Sequence, residues 1–379
     1  MKDSKLLFDL NATQPNHDGK RHGGGKYGEM VFFRLIERHV AFSCFFDSQK
    51  WLNPEIKKDC DKNGVVLYDI SKSGIDSIIE KSEAKILYSS IPSRYAHIKG
   101  CRIVGTLHGL RGLETPFDSY FYKYSHSFSD VVKFTIKKIF QKWYYQSLWK
   151  EYKKNYFQSG MDFVTISEHT KNAICCYFPE YSERNIKVFY TPSTSSNDEI
   201  ERDNSLGQYF LLVSGNRWEK NNLRAIIAFD TLLSKQLITN VKMVVLGASS
   251  KTFKYHIKNP DNFMFYDYVS EEILNKMYAN AYLFVYPSLN EGFGLPPLEA
   301  LRYKVPVISS SFTSMAEILL GGAIFFNPFS IDEIMNRMMM MMNPLIHQKL
   351  SVKGYQRYEE VNKRQKEDLD KLIDYILGE

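Results

Sequence analysis

Two glutamates, Glu291 and Glu299, stand eight positions apart in SLNEGFGLPPLEA (288–300), with glycines and prolines between them. A carboxylate accepts hydrogen bonds from two vicinal hydroxyls, so acids on either side of one bend suit a sugar, a ribose or both. Glu291 follows the apolar run AYLFVYPS, and Glu299 falls where LEALRY begins to read as a helix. A carboxylate in a first helical turn also suits the helix dipole, so Glu299 keeps a purely structural reading as well. Between the two acids, Gly292, Phe293 and Gly294 let the backbone approach a ligand and offer N–H groups. Pro296 and Pro297 then stiffen the helix entry.

Two further loops carry phosphate-friendly chemistry. SGNRWEKNN follows the apolar run QYFLLVS and sets Arg217 and Lys220 three apart at an expected helix start. A guanidinium fork, an ammonium and the free N–H groups of a first turn form a diphosphate clamp, although a solvated basic patch reads the same way. DGKRHGGGKYGE (18–29) places Gly23, Gly24 and Gly25 between a strand and the helix expected over EMVFFRLIE. Such a glycine loop is a phosphate approach or a flexible surface loop, and it lacks the G-x-G-x-x-G spacing of a dinucleotide site. Two D-x-D pairs, DCD (59–61) and DLD (368–370), are the candidates for a metal clamp. The first precedes a strand, at the wrong end of a sheet for ligands, and the second reads as a solvated helix face, so no metal site is expected.

The elements that must position these loops alternate between short apolar runs and amphipathic ones, the rhythm of parallel sheets covered by helices. Strands are expected over 5–10, 39–46, 64–70, 85–90, 101–107, 161–167 and 185–191, and again over 208–214, 241–247, 263–268, 281–287, 305–310 and 323–328. Helices are expected near 221–235, 271–280, 297–304 and 313–320, and MMMMM (338–342) reads as a stretch of buried helix. The polar stretch 192–207 reads as a linker, which divides the chain into domains 1–192 and 193–345 and a charged helical tail, 346–379, crossing back to the first domain. Two facing Rossmann-like, doubly wound α/β domains make a cleft lined by the loops after the strands.

At 379 residues, with 44% apolar and 15% aromatic residues, the chain is globular and comfortable for two domains. Five scattered cysteines without metal-ligand spacing read as free thiols of a reducing cytoplasm. Neither a signal peptide nor a membrane-spanning run is legible. A formal charge of +6 suits an anionic ligand or a membrane surface and does not by itself argue for nucleic acid.

Taken in order, SGNRWEKNNLRAIIAF, YANAYLFVYPSLNEGFGLPPLEAL and VPVISSSFTSMAEIL resemble the retaining glycosyltransferases of family 4, which have the GT-B architecture. The likeness is densest over about 205–330; in the first half it rests on the glycine loop, GTLHGLR (105–111) and VTISEHTK (164–171). The resemblance implies that Glu291 holds the donor sugar hydroxyls, that Phe293, Gly294 and Leu295 offer N–H groups, and that Glu299 binds the ribose. Arg217 and Lys220 would stabilise the departing diphosphate, with Gly215 and Asn216 of the same loop also at the donor. His108 would lie beside the transferred sugar, Gly24 and Gly25 would close over the diphosphate, and Tyr268 and Val269 would frame the base. It further implies transfer without a metal or other cofactor, from a UDP- or GDP-sugar to a glycan or lipid-linked acceptor, in surface polysaccharide synthesis. A protein of the same fold that only binds a nucleotide sugar or a glycan is the alternative.

The stretch 128–157 holds seven lysines against two acids with aromatics interleaved. It reads as a basic amphipathic helix suited to an anionic leaflet, and a solvated basic face or single-stranded nucleic acid competes with that reading. Peripheral contact at the inner face of the cell membrane and a solvated basic face stand as equal expectations, and nucleic acid is not expected.

Overall fold

Parallel strands covered on both faces are largely apolar, as the fully buried Tyr209–Leu212 and Leu283–Tyr286 are here. In the computed structural model, which describes residues 5–15, 23–115, 117–125, 127–157, 160–181, 186–193, 200, 203 and 205–379, every apolar run expected as a strand contains one. The first sheet is built from β1 (Leu6–Asp9), β2 (Phe42–Phe46), β3 (Val66–Asp69), β4 (Ile86–Ser89), β5 (Arg102–Leu107), β6 (Asp162–Thr165) and β7 (Lys187–Val188). The second holds β8 (Tyr209–Leu212), β9 (Lys242–Leu246), β10 (Phe263–Tyr266), β11 (Leu283–Tyr286), β12 (Val307–Ser310) and β13 (Ala323–Phe326). The linker expected over 192–207 lies largely outside the described residues.

Strand order is β3-β2-β1-β4-β5-β6-β7 in the first sheet and β10-β9-β8-β11-β12-β13 in the second. Each sheet therefore winds outward from its middle, and the direction reverses between β1 and β4 and between β8 and β11. At such a switch point the loops leaving neighbouring strands diverge and open a crevice at the carboxyl edge. In the second sheet Leu283 of β11 pairs with Phe210 of β8, so the loops after QYFLLVS and after AYLFVYP start side by side. The helices Asn222–Ser234 and Ile331–Met341 cover this sheet with Phe229, Leu232, Met338 and Met341. Of the methionine run, Met338 and Met341 are buried and their neighbours half-buried, as helical periodicity requires.

The chain forms two compact units, and neither is continuous in sequence. The first comprises residues up to Leu110, Tyr145–Thr194 and Lys363–Glu379; the second comprises Arg111–Tyr144 and Ser195–Asn362. Residues 111–144, which the sequence reading placed in the first domain, thus pack with the second. The reason is specific chemistry that periodicity does not show. Arg224 donates a bidentate pair of hydrogen bonds to Asp118, at 2.7 and 2.9 Å, with both side chains buried. Tyr124 Oη accepts the N–H of Leu223 at 2.7 Å, and Phe121 packs edge-on to Trp218.

The tail helix runs over Pro344–Leu377. Within the first unit, Asp368 accepts the Tyr190 N–H at 2.9 Å and Arg34 forms a fork on Asp370 at 2.7 and 2.9 Å. DLD (368–370) is accordingly a docking contact, which corrects its reading as a solvated face. DCD (59–61) lies on the Pro54–Asn63 helix ahead of β3. The stretch 128–157 is also not one helix: it divides into Phe128–Ile139, Gln141–Tyr152 and a π-helical turn over Lys153–Phe157. Its last part is tied into the first unit, where Trp149 stacks on Phe178 and Phe157 is buried.

Removing one partner of a buried ion pair leaves the other charge uncompensated, typically at a cost of about 3–5 kcal/mol. Arg224→Met should therefore lower the urea midpoint of the second unit and speed protease cleavage within 111–144. An unchanged midpoint and cleavage rate would show that this pair does not hold the segment.

Candidate functional site

The loops after β8 and β11 meet through charge. Lys220 ends a single 3-10 turn, Trp218–Lys220, and its Nζ lies 2.5 Å from Glu291 Oε1. The same oxygen accepts hydrogen bonds from Tyr286 Oη and Ser288 Oγ, each at 2.6 Å, and Lys220 also donates to Tyr286 at 2.9 Å. All three donors converge on Oε1, and none of them is on Oε2. Lys220 and Glu291 are 7% and 8% exposed, so this is a buried, ionised pair. Burial pushes the Glu291 carboxyl up, but the Lys220 ammonium and the Ser288 and Tyr286 hydroxyls outweigh it and hold the acid below its usual range. Burial also keeps Lys220 below its ordinary value, against the pull of Glu291 and with help from the charges of Arg217 and Arg111. The stability that a lowered carboxyl contributes is present above the ordinary carboxylate range and lost as acid protonates it.

The loop carrying Glu291 is clipped in place from β12. The Glu291 N–H donates to Thr313 Oγ1 at 2.9 Å, and Ser314 Oγ donates to the carbonyls of Glu291 and Phe293 at 2.9 and 3.0 Å. Ser310 Oγ holds the Ser288 carbonyl at 2.6 Å, and the Leu289 N–H reaches the Glu219 carbonyl at 2.7 Å. Gly294 adopts φ +105°, and a Cβ there would lie 2.1 Å from Met315 Cε. Only glycine allows that bend and that approach together. The next helix, Leu295–Arg302, has prolines at its second and third positions, so the donors left in its first turn are the N–H groups of Leu295 and Leu298.

Other expected residues stand differently. Glu299 lies one turn further into its helix than expected and faces Arg302 at 3.6 Å, so the dipole explanation does not apply to it. The helix after SGNRWEKNN starts only at Asn222, and its open end is occupied, because Tyr124 caps Leu223. The N–H groups of Gly215 and Asn216 are bound to the carbonyls of Leu246 and Gly247, both at 2.9 Å, and so serve the β8–β9 junction. Gly215 is needed there, since a Cβ would lie 2.5 Å from that of Ala248. Arg217 is half in solvent, with Glu219 at 3.9 Å as its ion-pair contact. Tyr268 is exposed and Val269 half-buried in the loop after β10.

In the first unit, the glycine run opens the Gly23–Glu37 helix rather than forming a loop; residues 18–22 of that motif lie outside the described residues. Of the three, Gly24 serves close packing, while a Cβ on Gly23 would meet nothing within 4 Å. A Cβ on Gly24 would sit 3.2 Å from Ile91 Cδ1 and 3.5 Å from His108 Nε2, while Gly25 is buried in the same turn. His108 Nε2 lies 2.9 Å from the Ser90 carbonyl, which can only accept, so that nitrogen carries a proton. Its ring meets Tyr27 edge-on at 4.9 Å. Because β1, β4 and β5 are neighbours, Gly24, Ser90 and His108 are brought together. Among the described residues no group of three or more His, Cys, Asp or Glu side chains is arranged to hold a metal ion.

Sequence reasoning missed Tyr286, Ser288, Thr313 and Ser314. Tyr286 and Ser288 stand five and three residues before Glu291 in the stretch that drew attention, but their roles depend on the direction in which the loop turns.

Two parallel sheets covered by helices are the fold of the GT-B glycosyltransferases on which this chain superposes. WaaG, a glycosyltransferase involved in lipopolysaccharide biosynthesis, superposes with a TM-score of 0.66 over 99% of this chain and 100% of its own, at 12% identity. HepE of Anabaena, solved with UDP and glucose, gives 0.63 over 97% and 99% at 13% identity. At these identities the likeness concerns the fold. Residues 196–357 match the family model described as Glycosyl transferases group 1. Among curated relatives, the O-antigen chain mannosyltransferase RfbU of Salmonella typhimurium is 32% identical over 167 residues, which is 44% of this chain and 46% of that one. O-antigen chain mannosyltransferase B of Escherichia coli is 46% identical over 67 residues, 18% of each chain. The chain thus spans less than half the length of these relatives.

Lys220→Met strands the Glu291 charge and Glu291→Gln strands the ammonium, so each should lower stability by about 3–5 kcal/mol. The double variant should be clearly more stable than the two single losses added together. Additive losses in urea unfolding would show that the two groups act separately.

Proposed function

We propose that the protein is a retaining, metal-independent glycosyltransferase that moves a hexose from a nucleotide sugar to a glycan or lipid-linked acceptor in surface polysaccharide synthesis. Mannose is the sugar favoured by the names of the relatives RfbU and mannosyltransferase B. The observation that carries the reading is the Lys220–Glu291 pair at the β8/β11 switch point, inside the region that matches the family.

Breaking a glycosyl–phosphate bond puts positive charge on the sugar and negative charge on the departing diphosphate. Arg217, the proton of Lys220 not spent on Glu291 or Tyr286, and the Leu295 N–H are preorganised donors for that second charge. Glu291, fixed through Oε1, keeps Oε2 for the sugar hydroxyls, and Glu299 is the acid for the ribose. His108, oriented by the Nε2–H bond to the Ser90 carbonyl, is the residue beside the transferred sugar. The acceptor hydroxyl attacks on the leaving-group face, and the leaving phosphate takes its proton, which gives retention.

GDP-mannose or UDP-glucose, tested without added metal, should raise the melting temperature of the purified protein, and one of them should be turned over with an acceptor glycan. Glu291→Gln should retain a nucleotide-induced shift and lose at least 100-fold in turnover. Binding without turnover by the parent protein would instead make it a nucleotide-sugar-binding protein, and no shift with either nucleotide would sink both readings.

Peripheral membrane contact belongs to the same proposal, through 128–143. Phe128, Val132, Ile136 and Ile139 are exposed by 82, 38, 51 and 70%, and their spacing of four, four and three forms one stripe on the Phe128–Ile139 helix, with Trp143, 76% exposed, at the start of the next helix. Lys138 and Lys142 accompany it, the combination that lies at an anionic interface. No helix among the described residues is long and apolar enough to cross a membrane. The protein should co-sediment with vesicles containing phosphatidylglycerol and not with pure phosphatidylcholine, and Ile136→Ser with Ile139→Ser should release it. Equal behaviour on both vesicles would refute the contact.

A further inference from the structure

The inner side of the same segment encloses a cavity that no part of the mechanism uses. Its volume is about 380 Å³, and its walls are the rings of Phe117, Phe121, Phe134, Tyr144 and Trp218. Phe121 stacks on Phe134 with centroids 3.9 Å apart, Trp218 meets Phe121 edge-on at 5.5 Å, and Phe117 bridges Phe134 and Tyr144 at 5.5 and 5.7 Å. Phe134 is 6% exposed, although Val132 and Ile136 on either side of it face solvent. The Phe128–Ile139 helix therefore turns Phe134, together with Asp130, Lys133 and Lys137, toward the cavity and leaves Val132 and Ile136 bare.

Three cations stand at this cavity: Arg111, Lys133 and Lys137. Among the described residues no carboxylate lies within ion-pair distance of Arg111 or Lys133, and Lys137 rests over the Tyr144 ring at 5.0 Å. The acids at the cavity have other work: Asp130 accepts from Ser127 Oγ at 2.7 Å, and Glu219 lies 3.9 Å from Arg217. The cavity also adjoins the site. Trp218 and Glu219 in its wall directly precede Lys220, and Arg111 is close enough for its charge to act on the Lys220 ammonium. An aromatic chamber with unpaired cations fits a ligand that is apolar along its length and anionic at one end.

We propose that this cavity binds an amphiphilic lipid phosphate, with the apolar chain among Phe121, Phe134 and Trp218 and the phosphate on Arg111, Lys133 and Lys137. Resting on the glycosyltransferase reading, the assignment makes the acceptor a glycan carried on such a lipid, its head group held beside the loop that bears Lys220.

Calorimetric titration of the full chain with farnesyl phosphate, dimethylallyl phosphate and inorganic phosphate tests this, each kept below its micellar concentration. Farnesyl phosphate should bind at least 10-fold more tightly than dimethylallyl phosphate, and inorganic phosphate more weakly still. Lys133→Glu with Lys137→Glu should weaken farnesyl phosphate at least 10-fold and leave the nucleotide-induced melting shift intact. Phe121→Ser should remove the preference for the longer chain. Equal affinity for all three phosphates would reduce the site to free phosphate and overturn the proposal. So would affinity untouched by the charge variant, or affinity lost instead on replacing the outer residues Phe128 and Ile136 by serine. Lipid binding absent in protein that still responds to a nucleotide sugar counts against the cavity alone; absence of the nucleotide response counts against the catalytic reading.

Discussion

A buried ammonium next to a buried carboxylate is tolerable only if each has the other and the remaining lone pairs are satisfied. Lys220 and Glu291 meet that condition, and much of the local architecture follows from it. Tyr286 and Ser288 must donate to Oε1, so the end of β11 has to turn back toward its own acid. Thr313 and Ser314 must hold the loop backbone, so the end of β12 is drawn in. Gly294 must bend at φ +105° against Met315. The result is a carboxylate with one oxygen locked and an ammonium with a proton to spare, fixed before any ligand arrives. Preorganisation of this kind is where catalytic groups gain most of their effect.

The second unit depends equally on a segment from far away in sequence. Arg224 projects from the helix that begins just after Lys220, and it holds Asp118, stacks over Tyr120 at 3.6 Å and contacts Asn221 Oδ1 at 2.7 Å. Asn221 adopts φ +58° and ties its amide to the carbonyls of Pro287 and Pro328. The turn carrying Lys220 is therefore braced from both sides, by the segment 111–144 and by the loops after β11 and β13. The same segment presents aromatic rings inward and an apolar, lysine-flanked stripe outward. A bare apolar stripe on a surface helix ordinarily faces something other than water, which is why this segment sits at the centre of both interfacial proposals.

The first unit uses glycine for a different purpose from the one its sequence suggests. Three glycines before an amphipathic run look like a loop built for phosphate. In the fold they are the first turn of a helix, with Gly24 close against Ile91 and His108 and Gly23 facing open space. The physical need for closeness is the same, but the partner is the protein itself.

By itself, the sequence determined the strands, because a strand of a doubly covered parallel sheet is an apolar run whatever surrounds it. It also singled out Glu291 and Lys220, which stood out by type and by place after a strand. Strand order it could not determine, because parallel neighbours are joined by crossovers and periodicity carries no record of which strand lies beside which. Only the tertiary structure therefore decided that the loops after β8 and β11 are adjacent, that Lys220 and Glu291 meet at 2.5 Å, and that Arg111–Tyr144 belongs with the second unit. Those outcomes rest on contacts between residues some 70 to 106 positions apart, such as Lys220 with Glu291 and Asp118 with Arg224. Interactions of that range come into being only when the chain has closed on itself.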